Sequence, residues 1–462
     1  MRKIQLPISA LLLSCMAMAQ TPTNPAITGW LKNNTVTARH YVSGNSTPIN
    51  DADKVNVQAV QYSANNVYIT TTGLPSYITG PFLDGNPSLA TNQNAIFKFP
   101  LNPVKNTGTL VNTTGGNIGQ FINGVSLFDY RDGVAWSATS NTLCGGPGNP
   151  TCPGGANATQ DWNRDAIPAE KKGFDCSKAH PAMGNYHHHQ NPSAFNLDLV
   201  VTSTICVLYN ADGLYAIDST KHSPLIGFAY DGFPIYGAYA YKNANGTGGI
   251  VRMKSSYALR NMTTRTTSPT GATVTSGPNV STTYFLGYFR EDYQYNATTT
   301  LTPDYLDEHN GRFCITPEYP AGIYCYFATV DKNWNSAYPY VVGPTFYGTI
   351  TASKVTSITE AVTSYTASNT VGLTNNNLIN TQINIFPNPS SELIYVQILE
   401  LVKEDSSVEL YDALGKLIDK TVIFAGSTFS WFDTKKLYAG TYYVKILNSS
   451  AAVTHKVIVT KN

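Results

Sequence analysis

From about residue 25 to residue 350 the apolar positions come in short runs such as "NVYIT", "AIFKFPL", "LVVTSTICVLY" and "YFLGYF", separated by clusters of Asn, Gly, Pro and Ser. Brief β-branched and aromatic runs bounded by turn formers predict strands. Sustained 3.6-residue apolar periods are scarce, and only "PAEKKGFD" at 168–175 reads as one or two helical turns. Over 353–380 the text becomes rich in Thr, Ser and Asn, weakly patterned and free of Pro, which predicts a linker. Beyond it "ELIYVQI", "SVELYDA", "KLIDKTVIF", "TYYVKIL" and "HKVIVTK" alternate with turns, the pattern of a small β-sandwich. The expected fold is therefore mainly β: a large irregular β-rich domain over 20–352 and an immunoglobulin-like β-sandwich over 381–462.

The first residues carry a different pattern. Arg2 and Lys3 precede an apolar stretch over 8–19 that ends in Ala17-Met18-Ala19, which predicts a cleaved secretory signal at 1–19. That stretch is too short to span a bilayer. Lipidation at Cys15 is the alternative, because Leu12-Leu13-Ser14-Cys15 loosely resembles a lipobox. No later segment is apolar enough to be a transmembrane helix, so the mature protein is expected to be exported and water-soluble.

Composition agrees with export. The chain of 462 residues balances 30 Lys and Arg against 29 Asp and Glu, which removes the electrostatic argument for nucleic acid as a partner. Charged residues are only 13%, while 30 Tyr, 36 Gly and 26 Pro favour a hydroxyl-rich, loop-rich β protein. Loss of Cys15 with the signal leaves six cysteines, an even number that suggests disulfides outside the cytosol. Cys314 and Cys325 lie equally far from a turn centred between Tyr319 and Pro320, so they are expected to bond across a hairpin. Cys144 and Cys152 bracket the loop "GGPGNPT", and Cys176 pairs with Cys206 by elimination. Some of the six as free buried thiols is the competing reading.

Half of the eight histidines fall within "HPAMGNYHHH" at 180–189. If 186–190 is extended, His187 and His189 share one face while Tyr186 and His188 take the other. Two imidazoles on one face form a chelate suited to Zn or Cu, whereas Ca or Mg would prefer oxygen ligands. His180, His222 and His309 are candidates for a third ligand, with Asp198, Asp231, Asp307 and Glu308 as carboxylates. The alternative is that the histidines are hydrogen-bonded and unmetallated. Asp231-Gly232 predicts a tight hairpin turn and places Pro234 at an edge or a bulge. "LDEHNGRF" holds Asp307, Glu308 and His309 beside an Asn-Gly turn, and a solvated turn competes there with a role in orienting ligands. No G-x-S-x-G, H-E-x-x-H or P-loop occurs. An EF-hand beginning at Asp161 fails at Ala166 and Lys172.

Two resemblances follow from these segments. "AIFKFPLNPV", "IGQFINGVSLFDYRDGVAW", "GNYHHHQNP", "HSPLIGFAYDGFPIYG", "LDEHNGRF", "TPEYPAGIYCYFATV" and "YPYVVGPTFYG" together resemble the YHYH-domain family of exported bacterial proteins, over roughly 80–350. Its naming motif falls on Tyr186, His187, His188 and His189, with His188 in place of the usual Tyr. The family brings no settled activity. "FPNPS", "VELYDALGKLI", "LYAGTYYVKI" and "KVIV" resemble the C-terminal sorting domain of type IX secretion in Bacteroidetes, against the alternative of an ordinary accessory module. That resemblance implies the type IX machinery as partner through 381–462 and release or attachment at the cell surface. The functional expectation is an exported protein binding Cu or Zn through His187, His189 and His180 or His222. A surface adhesin or glycan-binding module with structural histidines is the alternative.

Overall fold

The computed structural model describes residues 23–461 apart from 34, 84–87, 156–158, 201–202, 298–301, 367–382, 399–405, 414, 425–426 and 448–451. The expected signal segment and Cys15 lie outside the described residues. The chain divides into two compact units, Met1–Ala367 and Ser368–Asn462.

The first unit is built on an eight-stranded mixed sheet. Its strands are β1 (Asn117–Phe121), β2 (Ser126–Phe128), β3 (His180–Ala182), β4 (Asn185–His188), β5 (Leu225–Ala229), β6 (Pro234–Tyr236), β7 (Gly311–Cys314) and β8 (Ile323–Phe327). Their spatial order is β3-β4-β2-β1-β5-β6-β8-β7, with β4/β2 and β6/β8 parallel and the other pairs antiparallel. Both faces are covered, which is why all five residues of β5 are buried. Leu225 and Phe228 pack with Phe97, Phe99 and Phe327 on one side, and Ile226 and Ala229 pack with Phe121, Tyr324 and Tyr326 on the other. A register shift between Leu225 and Gly227 resets the alternation that a regular strand would impose. The Asp231-Gly232 hairpin turn forms as expected, with the Gly232 N–H donating to the Ala229 carbonyl at 2.8 Å. Pro234 does not lie at an edge: it opens β6, an interior strand, where the first position tolerates a missing N–H.

An antiparallel five-stranded sheet packs over one face in the order Ser353–Val355, Ala95–Pro100, Asn66–Thr71, Val57–Tyr62, Thr363–Ser364. This corrects the linker boundary. Residues 353–355 and 363–364 cover both edges of that sheet, and Glu360 accepts a hydrogen bond from Asn66 at 2.8 Å and another from Tyr68. Their low apolar content is compatible with strands here, because edge strands need only backbone hydrogen bonds and one covered face. The rest of the expected linker, 367–380, lies outside the described residues. A chain ending at 366 should therefore unfold at a higher temperature than one ending at 352. Equal melting temperatures in differential scanning calorimetry would show that the two edge strands contribute nothing.

Two disulfides form as expected, Cys144–Cys152 and Cys176–Cys206. The third does not: Cys314 and Cys325 are free, buried thiols. Cys314 pairs with Ile323, and Cys325 pairs with Arg312. The hairpin is thus centred between Glu318 and Tyr319, one residue earlier than the turn residues suggest, and the cysteines are diagonal rather than opposed. Cross-links close 30 residues at Cys176–Cys206 and 8 at Cys144–Cys152. In the chain-entropy model this predicts losses of about 3.6 and about 2.5 kcal/mol for the respective double Ser variants. Denaturant titration of the two variants checks both the size and the order.

The second unit is a β-sandwich. Three strands, Ile383–Phe386, Leu393–Ile398 and Phe429–Asp433, face four, Leu417–Ile423, Ser406–Asp412, Gly440–Leu447 and Ala452–Val459. Ile394, Val396 and Phe432 from one sheet share a core with Val408, Leu410, Val444 and Val457 from the other. The five expected strands are present, and "INIF" and "FSWFD" supply two more.

Candidate functional site

The site grows from the hairpin β3–β4. Met183 and Gly184 occupy its two-residue turn with φ of 50° and 83°, the positive pair that such a tight turn demands. A Cβ at Gly184 would lie 2.1 Å from Thr91 Oγ1, so crowding as well as conformation requires glycine there. This turn pairs Ala182 with Asn185, hence Pro181 with Tyr186 and His180 with His187. His189 follows two residues after His187 and returns to the same face. The three histidines are buried, and one ring nitrogen from each lies within 4.8 Å of the others.

Hydrogen bonds fix the tautomers of two rings. His187 Nδ1 lies 2.9 Å from the Asn185 carbonyl and His189 Nδ1 lies 2.6 Å from the Asp129 carbonyl. A carbonyl only accepts, so in both rings Nδ1 carries the hydrogen and donates it. Each ring, when neutral, then presents a lone pair at Nε2, and the two Nε2 atoms lie 3.1 Å apart. Burial, followed by the neighbouring His189 and His180, pushes His187 well below the usual histidine range.

The short helix Ala166–Glu170 delivers a fourth group. Asp165 caps it by accepting from the Ile167 N–H at 2.9 Å, and Glu170 is its last residue. Glu170 Oε2 lies 3.3 Å from His180 Nε2 and 3.4 Å from His189 Nε2 without hydrogen-bond alignment to either. Burial works to raise its carboxyl, but the two imidazoles outweigh it and hold the carboxyl well below the usual range. Phe128 stacks on His187 with ring centroids 3.8 Å apart, and Phe174 meets His180 edge-on at 4.9 Å. The carboxyl of Glu170 is the more open part of the cluster, 23% exposed against 8% for the side chain of His180.

Tyr186 and His188 point to the opposite face. Tyr186 donates to Asp175 at 2.8 Å, and His188 Nε2 meets the Tyr77 hydroxyl at 2.8 Å. Burial pushes His188 down to about 3 and Asp175 up to about 7. Asp175 also accepts from the Gly80 and Ser177 N–H groups at 2.9 Å, which ties down the loop that leads into β3.

The other sequence candidates lie elsewhere. His222 donates from Nδ1 to the Ser223 carbonyl at 2.8 Å, and its ring lies against Tyr236 and Tyr241; it is no part of the cluster. His309 contacts Thr345, with Oγ1 at 2.8 Å from Nδ1. Asp198 pairs with buried Lys178 at 2.5 Å, and Asp231 accepts from Tyr326 at 2.5 Å and from the Gly348 N–H at 2.8 Å. Asp307 accepts from Tyr324 at 2.9 Å, and Glu308 is 3.8 Å from His309. These carboxylates brace strands and turns. Glu170 and the Asp129 carbonyl escaped sequence reading. The helical turn in "PAEKKGFD" was a visible signal for Glu170, but nothing in the text aims that turn at the hairpin.

No curated protein matches this chain. A solved DUF3244 family protein from Bacteroides vulgatus, with an immunoglobulin-like β-sandwich fold, is 16% identical over 17% of this chain and 83% of its own, at a TM-score of 0.15. That likeness carries no argument, and the sandwich rests on the two sheets described above. The secretion system C-terminal sorting domain matches residues 384–460. The protein is accordingly exported, as a secreted or surface-attached product of type IX secretion. The YHYH protein profile matches residues 96–339, more than half of the sequence, and the strands that carry the histidine cluster fall inside that span. This chain belongs to the YHYH protein family.

Proposed function

We propose that this exported protein binds one Cu(II) or Zn(II) ion per chain through His180, His187 and His189. The observation that carries the reading is the pair of Nε2 lone pairs 3.1 Å apart, each fixed by a carbonyl on the far side of its ring. Two such lone pairs repel unless a proton or a metal ion lies between them. Burial disfavours an added proton on His187, and neutral imidazole is a good ligand for either metal. The backbone carbonyls orient the rings as outer partners do around metal-bound histidine. The glycan-binding alternative gains no support. Among the described residues of the first unit no Trp or Tyr is fully exposed, and Trp30, Trp136 and Trp162 are buried.

Titration calorimetry of the metal-stripped full-length protein should give one equivalent of Zn(II), and elemental analysis of protein from its own host should give one metal per chain. Absence of metal by both measurements would overturn the reading. Delivery is separable: in a type IX-competent host a chain ending at 366 should stay in the periplasm. Its arrival in the medium at the full-length level would remove the sorting role of 384–460.

A further inference from the structure

We infer that Glu170 is the fourth ligand of this centre and makes it a site for a divalent cation rather than Cu(I); the inference rests on the metal reading above. Around a metal with bonds of about 2.0–2.1 Å, the edges of a tetrahedron are about 3.3–3.4 Å. Three edges of the cluster measure 3.1 Å between His187 and His189, 3.3 Å between His180 and Glu170, and 3.4 Å between His189 and Glu170. Glu170 Oε2 is itself buried and has no hydrogen-bond partner among the described residues, an unusual condition for a carboxylate oxygen. His189 gives its Nδ1 hydrogen to the Asp129 carbonyl, and its Nε2 lies 3.1 Å from His187 Nε2 and 3.4 Å from the carboxylate oxygen. The Nε2 atoms of His187 and His189 and Oε2 of Glu170 are thus neighbouring donor atoms that one cation could take together.

The donor set decides the kind of cation. Cu(I) is selected by thiolate and thioether ligands, and none enters the cluster. The nearest methionine in sequence, Met183, stands at the turn tip with its side chain in solvent. A hard carboxylate beside three imidazoles suits Zn(II) or Cu(II), because its charge offsets part of the second positive charge in a dry surround.

The test compares wild type, Glu170→Gln and His187→Ala/His189→Ala as full-length chains, each checked by circular dichroism. Affinities for Zn(II) and for Cu(I), the latter under reducing anaerobic conditions, are read by competition with chromophoric chelators. Glu170→Gln should weaken Zn(II) by at least about 100-fold, beyond the loss typical of an outer hydrogen-bond partner, and leave Cu(I) within about threefold of wild type. X-ray absorption of the Zn-loaded wild type should give four N/O ligands. Wild-type Zn(II) affinity in Glu170→Gln, with binding lost in the histidine variant, would overturn the Glu170 assignment and leave the three-histidine reading standing. Equal loss of both metals in a folded Glu170→Gln would also overturn it, by reducing Glu170 to a structural role. No binding of either metal by wild type would overturn the metal reading itself.

Discussion

Changing His187 and His189 together to alanine should lower Zn(II) or Cu(II) affinity by at least about 1000-fold, whereas His188→Tyr should leave it within a few-fold of wild type. The asymmetry follows from the pleat. His187 and His189 share a face and meet at 3.1 Å, while His188 turns away to Tyr77 and lies edge-on to Phe121 at 5.4 Å. Removing the pair takes two of the three nitrogen donors and leaves His180 as the one imidazole of the cluster. The same change deletes a contact between two lone pairs, so the metal-free fold should not lose stability through that contact. Calorimetry on metal-stripped wild type and the two variants reads the affinity, and thermal unfolding in chelator reads the fold. Equal Zn(II) binding by wild type and the double variant would sink the assignment.

Asp292→Ala should cost the first unit about 3–5 kcal/mol, the largest single-residue loss of stability expected in it. Arg265 and Asp292 have fully buried side chains, paired through Nε to Oδ1 and Nη2 to Oδ2, both at 2.7 Å. The guanidinium also donates to the carbonyls of Pro278, Tyr284 and Phe285, and Asp292 Oδ2 accepts from the Gly287 and Phe289 N–H groups. Alanine would therefore strand a permanently charged guanidinium in a dry interior and orphan two backbone donors at once. Replacing both partners with apolar residues, Arg265→Met with Asp292→Leu, should cost less than Asp292→Ala alone, because no buried charge is left unpaired. Denaturant unfolding of the three variants measures this. A loss below about 1 kcal/mol for Asp292→Ala would mean that water reaches the pair.

What the sequence could carry is local. The alternation that sets His187 and His189 on one face belongs to the pleat of a strand; β4 ends at His188, and His189, just beyond it, still comes back beside His187 at 3.1 Å. Short strands, the Asp231-Gly232 turn, the sandwich pattern after residue 381 and the sorting motifs were legible for the same reason: each is written within a dozen residues or so. The Cys144–Cys152 pairing was also within reach, since only a short loop separates the two. The pairing of His180 with His187 is equally local, since the Met183-Gly184 turn sets it.

Contacts between elements distant in the chain were decided only by tertiary structure. Glu170 reaches the histidines from a separate helix, and the carbonyl that orients His189 belongs to Asp129, 60 residues away. His222 has the right chemistry but lies against Tyr236 and Tyr241. A one-residue displacement of the hairpin centre set Cys314 and Cys325 diagonally, a register that the packing of β7 and β8 against the core fixes and turn composition does not. Residues 353–355 and 363–364 became edge strands because the sheet offered them unpaired backbone groups, an invitation that exists only once that sheet has folded. Residue types and their spacing thus determined which side chains could bind a metal and which face they share, while register and packing decided which of them meet.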